Sequence, residues 1–463
     1  MVKKNWLKIK KVYLSGIGGI GVSALARFFH YHGISIIGTE ICSSSITDNL
    51  ELIGIKINRK HLATNITTDI DLFIHTPAIS TDNPELLAAQ KLNIPVYSYP
   101  AFLGELSKQY KTIAVSGTHG KSTTTSLVGL FLTAGKIDPT IIVGSQVNHF
   151  DHNFRYGQSP WLVVEACEYR GHMLYLQPEI ITITNLEADH LDYYRDLNDI
   201  VKHFEKFIRK LKSHHLCLNV DDPTLRHLAT KNECLTYGIE QQAKLQARNI
   251  KIKDQKQCFD LYYANKKIIS LSLSIPGRFN IYNTLAAIAS TWSFKLDPRV
   301  YQHVLQTFAG CWRRFEILGS WQQQPNTLVI SDYAHHPTAV AVTIKAAKEF
   351  YPHKRLVVVF QPHQVHRTLK LFKEFSQSFT LADELILCSI YGVVGRENDK
   401  ESKEILIDQL ATACRQESKV SVRVEKNISQ LTNTIESIIK ANDLILIIGA
   451  GSIDQTVRQY LKI

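Results

Sequence analysis

Residues 116–125 read Ser-Gly-Thr-His-Gly-Lys-Ser-Thr-Thr-Thr, a run whose residue types and spacing suit the handling of a nucleoside triphosphate. Gly117 and Gly120 let the backbone turn tightly and aim N–H groups at phosphate oxygens. Lys121 adds a point charge and Ser122 a hydroxyl for magnesium. Thr118, His119 and Thr123 lie in the same predicted ATP cradle. The general phosphate-loop pattern has a glycine where this chain carries Val115, so the loop is a shortened variant. An apolar run at 112–115 and a helical pattern at 126–131 flank it, a setting that a chance Gly-Lys-Ser in a turn would lack.

A second glycine-rich loop lies near the amino end. Gly16-Ile17-Gly18-Gly19-Ile20-Gly21 stands between a predicted strand at 12–15 and a predicted helix at 22–31, and the next strand, 34–39, ends at Glu40. Glycines there bring backbone amides and a helix N-terminus to a diphosphate, and Glu40 is placed to accept from a ribose hydroxyl. The fingerprint favours a Rossmann-like nucleotide site over a merely structural turn, without saying which nucleotide.

Further polar residues fall just after predicted strands, where open α/β sheets gather ligands. Glu165 ends a strand at 161–164, and His190 follows one at 180–184. Both can converge on the cradle's edge. Equally, Glu165 can be an ordinary strand-end acid and His190 a capping or surface residue. Asn280 and Asn283 lie three apart on one helical face, where amides can bind a base, although Asn280 can simply cap its helix. Beyond Arg313-Arg314 come Asp332-Tyr333-Ala334-His335-His336 and, after another strand, His363, His366 and Arg367. Adjacent histidines on a loop usually point apart, so without a third ligand at suitable spacing no transition-metal site is expected at 335–336 or around Arg367.

These segments require a scaffold of alternating strands and helices. At 463 residues with 44% hydrophobic content, the chain suffices for about three domains with real cores. The fold expected is α/β throughout. A Rossmann-like domain spans 1–107, a central P-loop ATPase-like domain with added antiparallel strands at about 245–275 spans 108–312, and a second doubly wound domain spans 313–463. Residues 100–110 read as the connection out of the first block. Fifty-three basic against forty-two acidic residues give +11, but the basic residues are dispersed in short clusters such as Lys3-Lys4. That suits polyanionic small molecules at least as well as nucleic acid. Eight scattered cysteines without a Cys-x-x-Cys pair read as free thiols of a reducing cytosol. No 18-residue apolar run occurs and Met1 to Trp6 lead into a strand, so neither export nor membrane insertion is expected.

Taken in order, Gly16-Ile-Gly-Gly-Ile-Gly-Val-Ser-Ala-Leu-Ala, Gly117-Thr-His-Gly-Lys-Ser-Thr-Thr-Thr, Glu165-Ala-Cys-Glu-Tyr-Arg, Asn185-Leu-Glu-Ala-Asp-His-Leu-Asp, Arg313-Arg-Phe-Glu, Asp332-Tyr-Ala-His-His-Pro and Phe360-Gln-Pro-His closely resemble the Mur ligases of peptidoglycan synthesis. The resemblance runs from about Val12 to the last helix and implies a cytoplasmic, ATP- and magnesium-dependent ligase. Its implied reaction joins the lactyl carboxylate of UDP-N-acetylmuramate to L-alanine through an acyl phosphate. By resemblance, Gly16, Gly18, Gly19, Ile20, Gly21, Ser23 and Glu40 hold the UDP-sugar. Lys121, Glu165, His190 and Arg314 are catalytic, with Ser122, Glu165 and His190 on magnesium. Asn280, Asn283, Arg314, Asp332 and Tyr333 join the cradle in binding ATP, and His335, His363 and Arg367 form the amino-acid pocket. Two departures stand out: Cys167, where many members have aspartate, and Gln364, where arginine is common. No lysine matches the carbamylated lysine of some sister ligases. Oligomeric state is not legible. The alternatives are a ligase of the same family that attaches a whole tripeptide, a nicotinamide-dependent oxidoreductase with an ATP-binding domain, and a nucleic-acid motor. The last lacks a basic helix or a base-stacking platform.

Overall fold

The computed structural model describes residues 8–150, 152–212, 215–392 and 400–463, so the Lys3-Lys4 cluster and the Met1 to Trp6 segment lie outside the described residues. Three sheets follow one another along the chain. The first contains β1 (Lys11–Ser15), β2 (Ser35–Thr39), β3 (Lys56–Asn58), β4 (Leu72–His75) and β5 (Val96–Ser98), all parallel in the order β3-β2-β1-β4-β5. The glycine-rich loop leaves the carboxyl end of β1 at the point where strand order reverses, which is where such sheets open a crevice. The connection expected at 100–110 is largely a helix, Tyr99–Ser107, started by Ser98, whose hydroxyl accepts from Ala101 N, and by Pro100 in the first turn.

The second sheet has ten strands: β6 (Lys111–Ser116), β7 (Thr140–Ile142), β8 (Phe154–Arg155), β9 (Trp161–Glu165), β10 (Pro178–Ile183), β11 (His215–Asn219), β12 (Leu235–Gly238), β13 (Leu245–Lys253), β14 (Lys256–Tyr263) and β15 (Lys266–Leu273). Their order is β15-β14-β13-β12-β11-β10-β6-β9-β7-β8. β6, β9, β10, β11 and β12 are parallel and read as apolar runs because helices cover both faces. β13 to β15 are the expected antiparallel hairpins. They continue the same sheet, since β13 pairs in parallel with β12.

The third sheet contains β16 (Glu316–Trp321), β17 (Gln324–Asp332), β18 (Leu356–Phe360), β19 (Glu384–Cys388), β20 (Ser421–Glu425) and β21 (Leu444–Ile448) in the order β16-β17-β21-β18-β19-β20. Only β16 runs against its neighbour. Separate apolar clusters cover its two faces, one including Val358, Phe360, Leu385 and Leu446, the other Val357, Val359, Ile386 and Ile445. That alternation of neighbouring residues between faces is what a central parallel strand demands. Among the described residues, no helix is long and apolar enough to cross a membrane.

Candidate active site at the junction of the second and third sheets

The phosphate loop joins β6 to the helix Lys121–Ala134. Gly117 at φ 127° and Gly120 at φ 81° have left-handed backbones, and a Cβ at either would collide with Thr184 Oγ1 or with Asn283 Oδ1. Only glycine fits both demands. The loop is held from β10's end: Thr118 N donates to Asn185 O at 2.9 Å, His119 N to Asn185 Oδ1 at 2.9 Å, and Thr184 Oγ1 to His119 O at 2.6 Å. Ser122 and Thr123 are buried in the first helical turn.

Lys121 Nζ is fully engaged, donating to Gly117 O at 2.7 Å, Thr118 O at 2.9 Å and Glu168 Oε1 at 3.0 Å. Burial works against its charge, but Glu168, with Cys167 and Glu165, holds its pKa above the ordinary lysine value. Glu168 shows the converse. Burial pushes it up, and Lys121 and His190 outweigh that and keep it ionised. His190 Nε2 lies 3.3 Å from the same Glu168 Oε1, on a left-handed backbone at φ 52°. The sequence reading gave Glu168 no role, yet it is the hub joining Lys121 to His190. Its only sequence signal is its place three residues beyond Glu165, in the turn after β9.

Glu165 stands opposite Val115 in the β6–β9 register, at the strand end next to the phosphate loop. Its Oε2 accepts from Gly144 N at 2.8 Å. Asn280 does not cap its helix, because Gly277 is the N-cap. Instead Asn280 Nδ2 donates to Pro276 O at 2.6 Å and Asn283 Nδ2 to Asn280 Oδ1 at 2.9 Å, an arrangement that sets Asn283 Oδ1 against Gly120.

Across the junction the third sheet presents the loops after β17 and β18. Arg367 is buried, with Nη2 3.1 Å from Asp189 Oδ1 and Nη1 3.2 Å from His363 Nδ1. Asp189, also unassigned from sequence, is held far below the usual carboxylate range. Burial opposes its charge, and His190, Arg367 and His335 overcome that. His335 packs edge-on to Tyr333, its Nδ1 3.0 Å from Tyr333 O, while the neighbouring His336 turns the other way. Burial and Arg367 push His335 well below the ordinary histidine value. Tyr333 lies beneath both Arg313 and Arg314, whose guanidinium carbons are 5.0 and 5.1 Å from its ring centre. The residues before it pack on the phosphate-loop helix, with Cys311 Sγ 3.3 Å from Ser126 Oγ.

Two predicted ligand contacts are satisfied internally. Both carboxylate oxygens of Asp332 accept backbone N–H groups, from Phe315 and Ala334, each at 2.8 Å, so as it stands the group braces the 313–315 turn rather than presenting itself to a ribose. Glu40 Oε2 likewise accepts from Gly18 N at 3.1 Å, sitting on the glycine loop itself. Gly16 N donates to Thr39 O and Gly19 N to Gly16 O, while Ser23 Oγ turns back to Ile20 O at 2.9 Å. Ile20 O in turn accepts from Asn153, which ties this loop to the second sheet. Gly21 lies against the ring of Tyr99.

His363 offers a check on this electrostatic picture. Burial and Arg367 push it down to about 4, so the unfolded chain takes up its proton first as pH falls. Its contribution to stability is therefore undiminished above about pH 6.5 and declines from there toward pH 4. Denaturant titrations across that window should show a pH slope about one proton shallower in His363→Asn. An identical slope would mean that His363 is protonated in the folded protein.

Comparison with known proteins agrees with this architecture. Three family models match in order: the Mur ligase family catalytic domain at residues 11–111, the Mur ligase middle domain at 115–291, and the Mur ligase glutamate ligase domain at 313–451. A UDP-N-acetylmuramate–L-alanine ligase of Clostridium kluyveri is 40% identical over 463 residues, covering 99% of both chains. The crystal structure of the UDP-N-acetylmuramate–alanine ligase of Thermotoga maritima superposes with a TM-score of 0.83 at 28% identity, covering 98% of each chain. A murein peptide ligase of Psychrobacter arcticus shares the fold, with a TM-score of 0.71 at 24% identity over 98% of each. With three successive family domains, a full-length relative at this identity and a phosphate loop facing a cationic pocket across the junction, the chain belongs to the Mur ligase family of ATP-dependent ligases.

Proposed function

We propose that this enzyme joins the lactyl carboxylate of UDP-N-acetylmuramate to the amine of L-alanine, cleaving ATP to ADP and phosphate, in cytoplasmic peptidoglycan precursor synthesis. The observation that carries the reading is the junction itself, where the loop bearing Lys121 lies one shell, Glu168, His190 and Asp189, from the Arg367–His363 pair of the third sheet. The cytoplasmic location draws its support from eight free thiols. Domain boundaries near residues 107 and 312 are part of the proposal.

A carboxylate is a poor electrophile. In the proposed reaction its oxygen attacks the γ-phosphorus of ATP, ADP leaves, and the resulting acyl phosphate is attacked by the alanine amine with loss of a proton and of phosphate. Such a transfer needs positioning and charge neutralisation rather than covalent help. Lys121 would turn from its carbonyl partners to the β and γ phosphates, and Arg314 would approach the γ-phosphate from the third sheet. Asn280, Asn283 and Tyr333 line the nucleotide's path. The first glycine loop holds the UDP portion, with Glu40 giving up Gly18 N to it. Arg367, with His335 and His363, receives the alanine carboxylate.

Ser122 and Glu165 offer hard oxygen donors beside the loop, a set that fits magnesium, and His190 adds a less usual nitrogen. Magnesium, when bound, would neutralise phosphate charge. The decisive assay supplies ATP and UDP-N-acetylmuramate with a panel of amino acids and the tripeptide, and reads the mass of the UDP-linked product. Alanine addition is expected. Addition of the tripeptide alone would reassign the enzyme within its family, and no product with any amine would refute the ligase reading.

A further inference from the structure

Within the same junction, three potential metal ligands from three separate segments meet. His119 lies within the phosphate loop, Glu187 in the loop after β10, and His336 in the loop after β17. Glu187 Oε2 is 3.4 Å from His119 Nε2 and 3.4 Å from His336 Nδ1, and the three donor atoms lie within 4.8 Å of one another. Four ligands arranged tetrahedrally about a zinc ion at about 2.0–2.1 Å sit about 3.4 Å apart, so two of the three edges already have that length.

A second observation points the same way. His336 is 6% exposed, and among the described residues neither of its ring nitrogens has a hydrogen-bond partner. A buried imidazole that makes no hydrogen bond, its Nδ1 facing only the Glu187 carboxylate at 3.4 Å, has given up solvation that a metal ion would replace. The backbone here is also constrained: Glu187 N donates to Thr118 Oγ1 at 2.9 Å, which fixes the carboxylate-bearing loop to the phosphate loop. Sequence reasoning discounted a metal at 335–336 because adjacent histidines point apart. They do, and His336 finds its two co-ligands in the other half of the junction.

We propose that His119, Glu187 and His336 form a site for a divalent transition metal of zinc type, separate from the Ser122, Glu165 and His190 group, with a fourth position left to water. Two histidines and a carboxylate are a borderline donor set that prefers zinc or cobalt to magnesium. Because the ligands belong to both sides of the junction, the bound ion fastens the third sheet to the phosphate loop. It thereby slows the opening that product release requires.

The test uses the full chain with excess magnesium present, so that hard-ion sites are occupied, and titrates cobalt(II). One equivalent is expected to bind wild type with the intense absorption of tetrahedral nitrogen and oxygen coordination. His336→Asn and Glu187→Gln should each weaken that binding by roughly tenfold or more, while Cys167→Ser leaves it unchanged. Melting curves without metal establish that each variant is folded. The proposal also requires zinc to inhibit turnover of wild type and to inhibit His336→Asn far less. Absence of a tetrahedral cobalt spectrum in wild type, a spectrum carrying thiolate bands, or equal affinity in folded His336→Asn and Glu187→Gln would each overturn it.

Discussion

Replacing Lys121 by alanine is expected to abolish ligation, lowering kcat on the order of a hundredfold or more, while UDP-N-acetylmuramate binds nearly as before. The separation follows from geometry: the glycine loop proposed to hold the UDP portion leaves β1 of the first sheet, whereas Lys121 opens the helix after β6 of the second. The substitution also has a structural side. Lys121 is the principal counter-charge of a buried carboxylate, Glu168, and without it His190 alone among the described residues faces that charge. A buried carboxylate stripped of its partner costs about 3–5 kcal/mol. Lys121→Ala should therefore melt earlier, and a loss of activity could be mistaken for a loss of fold.

Combining Lys121→Ala with Glu168→Gln removes the unpaired charge. The double variant is expected to recover thermal stability without recovering turnover, and calorimetry alongside single-turnover phosphate release reads both. Turnover returning with stability would show that Lys121 acts only as a structural partner of Glu168.

What the sequence could reveal of this arrangement was whatever chemistry is local in the chain. The two glycine loops declare themselves because strand, turn and helix N-terminus are contiguous, and the hairpins β13 to β15 because alternation and turn residues are contiguous too. The connection at 100–110 turns out to be the helix Tyr99–Ser107, whose proline in the first turn is a helix-start signal. Glu168 and Asp189 escaped for a different reason. Each lies beside a residue with a plainer claim, Glu165 or His190, and their importance comes from partners far along the chain, Lys121 and Arg367. The cluster of His119, Glu187 and His336 is likewise invisible to any spacing rule. Its members are brought together only when the carboxyl ends of two separate sheets face each other.

In the proposed reaction Arg367 decides how the amino acid is held. Its guanidinium has five donors, and the structure commits one to Asp189 and one to His363, leaving the rest of the fork for a carboxylate. Lysine keeps the charge opposite Asp189 but offers no planar fork. A charge-assisted hydrogen bond contributes about 1.5–3 kcal/mol, which corresponds to roughly tenfold to a hundredfold in affinity. Arg367→Lys is therefore expected to raise the alanine KM by about that factor, with the KM values for ATP and UDP-N-acetylmuramate close to wild type. A competing role exists, because the Arg367–Asp189 pair also spans the junction and could serve only to close it. Asp189→Asn separates the two. If closure were the whole function, Asp189→Asn and Arg367→Lys would depress kcat alike and shift all three KM values together. If the arginine holds alanine, only its own replacement raises the alanine KM selectively, because Asp189→Asn leaves the fork in place. Measuring the three constants in both variants distinguishes these outcomes. A selective rise for ATP in Arg367→Lys would move the arginine out of the amino-acid pocket and onto the nucleotide.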